Sequence, residues 1–442
     1  MKIIKPIINI IICLCLSVIQ GFAQTGKIEF TEFDLNNGLH VILHQNNSVP
    51  LISVQIIYHA GSKNETSDRT GFAHFFEHLM FEGSDNIKRG EYSKIIQNAG
   101  GNENASTSFD ITEYHESLPS NQLELALWLE SERMLHLKID STGIETQRQV
   151  VKEEKKQNYE NTPYGRCLIE IMKNSYRVHP YQWTPIGEDQ YIDKASYSEF
   201  MDFYKKYYVP ENAVLVIAGD IQQEQTKALI KKYFEDIPKG NKEIERPLIK
   251  EPDQESEVRK TVYDKVQLPA IFYAYHTPKS GTTDSYAMEL IQKWLTGGES
   301  SQFFKSLVDQ QQLAMQVGAI PLNLEDPGLF IIYSISNIGV TAEDMDKAMN
   351  IQIEDAKLKG LDEHDFQKIK NQIENDFYSR NSTMEGIAAS LAENYTYFKN
   401  TDLINTEIEK YKAITREDLI KVAKKYLKPG NRLVLYYLPE TK

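Results

Sequence analysis

Ser196-Tyr197-Ser198-Glu199 opens a helical pattern that runs to Tyr207, and Pro210, Asn212 and the apolar run Val214–Ala218 follow it. Thr415-Arg416-Glu417-Asp418 opens another, which ends at Tyr426 and leads through Pro429 and Asn431 into Leu433–Leu438, 219 residues further on. Ser196 and Thr415 each stand as a helix N-cap with an acidic residue three positions later, the signature of a capping box. Each apolar run is rich in strand formers and follows a proline-containing turn, which reads as a β-strand. A second pair of matches lies upstream. Ser53–Tyr58 runs into His59, and Ala270–Tyr275 runs into His276, at an offset of 217. Two separate matches at nearly one offset describe a duplicated domain of about 200 residues, far longer than a solenoid repeat.

The remaining pattern agrees with two copies. Helical periodicity covers Leu123–Leu135 and Ile144–Tyr159 in the first half, and Thr341–Lys359 and Glu363–Tyr378 in the second. Strands and helices do not alternate strictly, which favours an α+β fold over a doubly wound sheet. The expected architecture is two homologous domains, each a mostly antiparallel sheet packed with helices. Between Ile237 and Glu257, Pro238, Gly240, Pro247 and Pro252 lie among charged residues, as a solvated linker should. The expected boundaries are residues 24–240 and 241–442.

Residues 1–23 stand outside this scheme. Lys2 and Lys5 precede an apolar run from Ile7 to Ile19, and Gly21-Phe22-Ala23 closes it. That is a secretory signal peptide by its charged start, short apolar centre and small residues at a cleavage site. No later stretch has membrane length, so the expected mature protein is exported, periplasmic and without stable membrane insertion. Cleavage removes two lysines and no acids, which takes the net charge from −14 to −16. It also leaves Cys167 as the sole cysteine, so no internal disulfide can form and the core must supply stability. An acidic chain lacks the basic footprint of a nucleic-acid binder, and ordinary globular composition excludes a disordered or fibrous protein.

Chemistry is concentrated at His74-Phe75-Phe76-Glu77-His78. The residues from Gly71 to Phe81 read as a helix with Phe72, Phe75, Phe76, Leu79 and Met80 as its apolar positions. His74 and His78 are four apart and so share a helical face. Two imidazoles so placed can occupy two corners of a tetrahedral zinc. Glu77 lies on nearly the same face, where a carboxylate can take a proton from water acidified by a metal. This is the inverted zinc-protease motif, His-x-x-Glu-His. A catalytic zinc needs a third protein ligand and keeps one position open. The helical stretch Gln147-Arg148-Gln149-Val150-Val151-Lys152-Glu153-Glu154 offers one, and residue chemistry alone leaves Glu153 and Glu154 both open.

These motifs, with Gly100-Gly101-x-x-Asn104-Ala105-x-Thr107-Ser108-x-Asp110-x-Thr112-x-Tyr114 and the duplicated layout, resemble the pitrilysin, insulinase and mitochondrial processing peptidase family over nearly all of residues 27–442. The resemblance implies a zinc endopeptidase with one Zn2+ per chain, held by His74, His78 and Glu154, and with Glu77 as general base. It implies that unstructured peptides bind as an added β-strand along Asn104, Ala105, Ser106 and Thr107, where main-chain hydrogen bonds supply affinity with little demand on sequence.

Two positions depart from the family pattern. Gln147 stands where members often have a supporting Glu, so it can hydrogen-bond beside the site but brings no charge. Val308 and Met315 stand where active members carry an Arg and a Tyr, and neither can donate a hydrogen bond to substrate. Some members divide the zinc motif and the Arg/Tyr pair between subunits. The resemblance therefore implies a zinc-bearing subunit completed by a homologous chain in a heterodimer, or by a second copy in a homodimer. The alternative is a catalytically silent scaffold subunit. In the second half, His74, Glu77 and His78 fall on Ile291, Trp294 and Leu295, so that half is expected to hold no metal.

Overall fold

The computed structural model describes residues 26–440, and the expected signal peptide lies outside them. The fold is α+β with two sheets. The first contains β1 (Thr31–Asp34), β2 (His40–Gln45), β3 (Leu51–Tyr58), β4 (Asn102–Thr107), β5 (Thr112–Pro119) and β6 (Ala213–Gly219), in the order β1-β2-β6-β3-β5-β4. The second contains β7 (Val258–Asp264), β8 (Ala270–His276), β9 (Ala314–Leu322), β10 (Leu329–Ser336) and β11 (Arg432–Pro439), in the order β7-β11-β8-β10-β9. Without β1 the two orders coincide strand for strand. Each sheet also has a single parallel pair in the same place, β2 with β6 and β7 with β11, among antiparallel neighbours.

The repeated stretches perform the same local tasks in both halves. Ser196 Oγ accepts the Glu199 N–H while the Glu199 carboxylate accepts the Ser196 N–H, and Thr415 and Asp418 form the matching box. Asn212 Nδ2 then donates to Tyr207 O, the last residue of its helix, at 2.8 Å, and also to His59 O. Asn431 Nδ2 donates to Tyr426 O at 2.9 Å and to His276 O at 2.9 Å. One amide thus ties helix end to strand end in each copy, which explains why both matches occur together in the sequence.

Both faces of each sheet are covered, which is why the central strands read as unbroken apolar runs. On β6, Leu215 and Ile217 point into the first core with Phe75 and Phe76, whereas Val214, Val216 and Ala218 point to the other face. That other face packs against Ile387, Ala388 and Leu391 of helix Met384–Phe398, which comes from the second half. The exchange is reciprocal. Ile171 and Met172 of helix Cys167–Ser175, from the first half, pack with Phe272 and Ala274 of β8 on the second sheet. The two crossing helices begin 217 residues apart, so they are copies of one element. Cys167 is half-buried at the start of its helix, and burial pushes its thiol up to about 11, well into the inert range.

A buried ionic junction also joins the halves. Lys63 Nζ lies 2.9 Å from Asp110, and it reaches Glu325 at 2.5 Å and Asp326 at 3.2 Å in the β9–β10 loop. His59 Nε2 meets Glu325 at 3.1 Å. Burial pushes the Glu325 carboxyl up, but the His59 hydrogen bond and the charges of His59 and Lys63 outweigh it and hold it down to about 2. A depressed carboxyl stabilises the fold above its unfolded value and loses that contribution as pH falls through the folded one. Stability on the order of 1–3 kcal/mol should therefore be lost between about pH 4.5 and pH 2. Thermal unfolding across that window tests this. Glu325→Gln should flatten the slope there, and an unchanged slope would contradict the assignment.

No helix among the described residues is long and apolar enough to cross a membrane.

Candidate metal centre

The motif occupies helix Phe72–Leu79, slightly shorter than the span from Gly71 to Phe81 that the sequence suggests. Phe75, Phe76 and Leu79 are fully buried, and the Phe75 ring stacks on Phe200 at 4.7 Å. This anchoring turns the opposite face, with His74 and His78, toward helix Ser141–Lys155. Gly71 precedes the helix at φ 92°, a left-handed conformation that a side chain would strain. Gly187 lies almost against it: a Cβ on Gly187 would come within 2.4 Å of the Gly71 backbone. Glycine is needed at both positions for the 184–189 segment to pass the helix start.

Helix Ser141–Lys155 is fixed from the same segment and the residues just after it. Arg148 donates to the carbonyls of Ile192 and Ala195. Lys155 Nζ donates to Gly187 O at 2.9 Å and pairs with Asp189 at 3.0 Å. These contacts settle which acid faces the histidines. Glu154 Oε2 lies 3.5 Å from His74 Nε2 and 3.2 Å from His78 Nε2. Glu153 points away to solvent, where it accepts from Gln157.

The three donor atoms suit one ion. His74 Nε2 and His78 Nε2 are 3.3 Å apart, with the two rings perpendicular. Tetrahedral zinc with bonds of about 2.0–2.1 Å has donor-to-donor edges of about 3.3–3.4 Å. The three separations seen here are those of one face of such a tetrahedron. The electrostatics agree. Burial, with the neighbouring His78, lowers His74 to about 4, so its ring is neutral at pH 7 and offers a lone pair. The hydrogen bond with His78 holds Glu154 below its ordinary value, which keeps it anionic against the opposing effect of burial.

Glu77 also lies within 4.8 Å of both histidines, so proximity alone would make it an equal candidate ligand. Its hydrogen bonding separates the two acids. Thr107 Oγ1, on β4, donates to Glu77 Oε2 at 2.6 Å, whereas Glu154 touches both imidazoles. Burial raises the Glu77 carboxyl, opposed by the Thr107 hydrogen bond, so this group binds a proton more readily than a free glutamate.

β4 is the edge of its sheet and pairs only with β5. Asn104 and Ser106 face solvent, and Ala105 and Thr107 turn toward the motif helix. Gln147 reaches neither histidine. It donates to Glu82 at 2.6 Å, and Glu82 in turn pairs with Arg89. Val308 is half-buried against the second core, and Met315 lies 55% exposed on β9. Ile291, Trp294 and Leu295 are buried and pack in the second core. Sequence reading did not find that Thr107 holds Glu77, nor that Arg148 and Lys155 fasten the acid helix. The first needed the pairing of β4 against the helix. The others donate to backbone carbonyls, which leave no trace in residue type.

Residues 40–185 match the insulinase (peptidase family M16) model, and residues 194–373 match the peptidase M16 inactive domain. The zinc protease PqqE of Helicobacter pylori is 31% identical over 422 residues, covering 94% of each chain. The crystal structure of a protease from Helicobacter pylori superposes with a TM-score of 0.90 at 30% identity, covering 94% of this chain and 100% of that one. The periplasmic protease PqqL from Escherichia coli shares the fold, with a TM-score of 0.75 at 17% identity, and this chain spans 47% of it. With the family matched in both halves and the His74-x-x-Glu77-His78 motif intact, the chain belongs to the insulinase family of peptidases, M16, as a zinc metalloprotease.

Proposed function

We propose that the chain is an endopeptidase in which His74, His78 and Glu154 hold one Zn2+ and Glu77 is the general base. The observation that carries this reading is the convergence of two imidazole nitrogens and one carboxylate oxygen within 3.5 Å, beside a second carboxylate held by Thr107. Bound there, zinc would polarise the scissile carbonyl and acidify the attacking water. Thr107 occupies Glu77 Oε2, which leaves Oε1 to accept the proton of that water and pass it to the leaving amine. The raised carboxyl suits both steps, because a base that is too acidic would not hold the proton between them.

The substrate is a peptide or small unfolded protein that adds as a strand to the free edge of β4, along Asn104, Ala105, Ser106 and Thr107. Main-chain pairing binds it with little dependence on side chains. A strand docked there lies beside Glu77, because Thr107 belongs to both the edge and the site. The acidic chain favours neutral or basic peptides over nucleic acid.

Domain boundaries at residues 24–240 and 241–442 follow from the duplication. Residues 1–23 are assigned as an export signal, which places the mature protein in the periplasm. A second reading is supported by Val308 and Met315, which supply no hydrogen-bond donor where the Arg/Tyr pair stands in active relatives. On that reading this is the zinc-bearing subunit of a heterodimer, completed by a homologous chain with the pair, and a homodimer is its alternative.

One experiment tests both readings. Metal analysis of the purified mature chain should find one zinc per chain, and peptide turnover should vanish with a chelator and return with zinc. Robust turnover by the isolated chain would remove the half-enzyme reading. Turnover only on adding a homologous chain would support it. A chain that holds no zinc would overturn the endopeptidase assignment.

A further inference from the structure

Outside the metal centre, one buried carboxylate touches the motif helix. Glu65 is 8% exposed and sits in the loop before the motif. Its Oε2 accepts the Gly71 N–H at 2.9 Å and its Oε1 accepts the Ala73 N–H at 2.8 Å. The first turn of a helix has backbone donors with no partner inside the helix, and a capping side chain usually takes one of them. Gly71, the N-cap residue here, has no side chain. Glu65 supplies from outside what the cap cannot.

We propose that Glu65 is a positioning residue for the metal centre: by gripping the first turn of the motif helix it sets where His74, Glu77 and His78 stand. The helix has only eight residues, too few to define its own start without outside contacts. His74 directly follows Ala73, so the gripped turn and the first imidazole move together. The loop that carries Glu65 is itself fixed. Ser62 N–H donates to Ser108 O at 3.2 Å and Lys63 N–H to Phe109 O at 2.8 Å, just beyond β4. The Lys63 side chain enters the ionic junction with the second half. Helix start, substrate edge and second half are therefore tied to one short segment. Burial pushes the Glu65 carboxyl up to about 8 against its backbone hydrogen bonds. Burying a polar carboxyl group there costs free energy that an apolar side chain would not, which argues for a task beyond filling space.

This inference rests on the zinc reading above. Its test uses Glu65→Gln and Glu65→Asp in the full mature chain. Gln keeps the shape but turns an N–H₂ toward a backbone N–H, so one donor loses its acceptor. Asp keeps the carboxyl group but is one methylene too short to reach both donors. In the metal-free chain, amide hydrogen exchange at Gly71 and Ala73 should speed up at least tenfold in Glu65→Gln, while the β6 amides keep wild-type protection. Zinc affinity, measured against a competing chelator, should fall by about 10–100-fold. Peptide kcat should fall while KM stays within about twofold, the pattern of an interaction felt in the transition state. Glu65→Asp should be intermediate in all three.

Wild-type exchange and wild-type zinc affinity in Glu65→Gln would overturn the proposal. If that variant does not fold, Glu65→Asp decides: intermediate values support the role, and wild-type values overturn it. A wild-type chain that takes up no zinc would instead overturn the zinc reading. The metal-free exchange would still report on Glu65.

Discussion

Glu77→Gln is expected to keep its zinc and lose peptide hydrolysis by about 10²–10⁴-fold, the range for removing a general base. The substitution is close to isosteric. Thr107 can still donate to the amide oxygen, so the side chain stays beside the histidines. His74, His78 and Glu154 are untouched, and metal analysis should give the wild-type ratio. What disappears is an oxygen that can hold a proton between water and leaving group. Parallel measurement of zinc content and turnover checks this. Unchanged turnover would exclude Glu77 as the base, and loss of zinc would make it a ligand, the alternative that its distance from the histidines allows.

The second large effect is expected at Glu154. Glu154→Gln should weaken zinc binding by more than the ~10–100-fold typical of residues that only support a ligand. The substitution removes the one carboxylate donor and leaves two imidazoles facing each other at 3.3 Å. Glu153→Gln is the control. Glu153 points to solvent, so the same charge change one residue earlier should leave zinc affinity and turnover at wild-type values. Chelator competition on the two variants separates the positions. Equal losses would mean that net charge rather than ligation is responsible, and a reversed order would assign the ligand to Glu153.

The contrast between Glu153 and Glu154 shows where sequence reading ended. Residue types and spacing placed both acids on one helix, but nothing local distinguishes them, since both are Glu in the same run. The resemblance to a family named Glu154. The physical reason is tertiary: Lys155 fastens the helix to the segment that passes Gly71, and Arg148 fastens it to the carbonyls of Ile192 and Ala195 just beyond. Gln147 is a similar case. The expectation that it hydrogen-bonds beside the centre describes its chemistry, but its amide is aimed at Glu82, and no histidine is its partner.

Duplication, the α+β class, the His-x-x-Glu-His helix and the apolar residues in the second copy of the motif were all determined by the sequence itself. Each rests on short-range information: capping boxes, strand-forming runs, a four-residue spacing and a repeated offset. Tertiary structure alone decided the reciprocal exchange of helices Cys167–Ser175 and Met384–Phe398, the ionic junction at Lys63, the hold of Thr107 on Glu77 and the grip of Glu65 on the motif helix. Each of these joins residues between 6 and more than 200 positions apart, through contacts that no periodicity encodes. A helix face can be read from spacing because 3.6 residues make a turn. The partner of that face is chosen only when the whole chain packs, and here that choice places the donors, the base and the substrate edge within reach of one another.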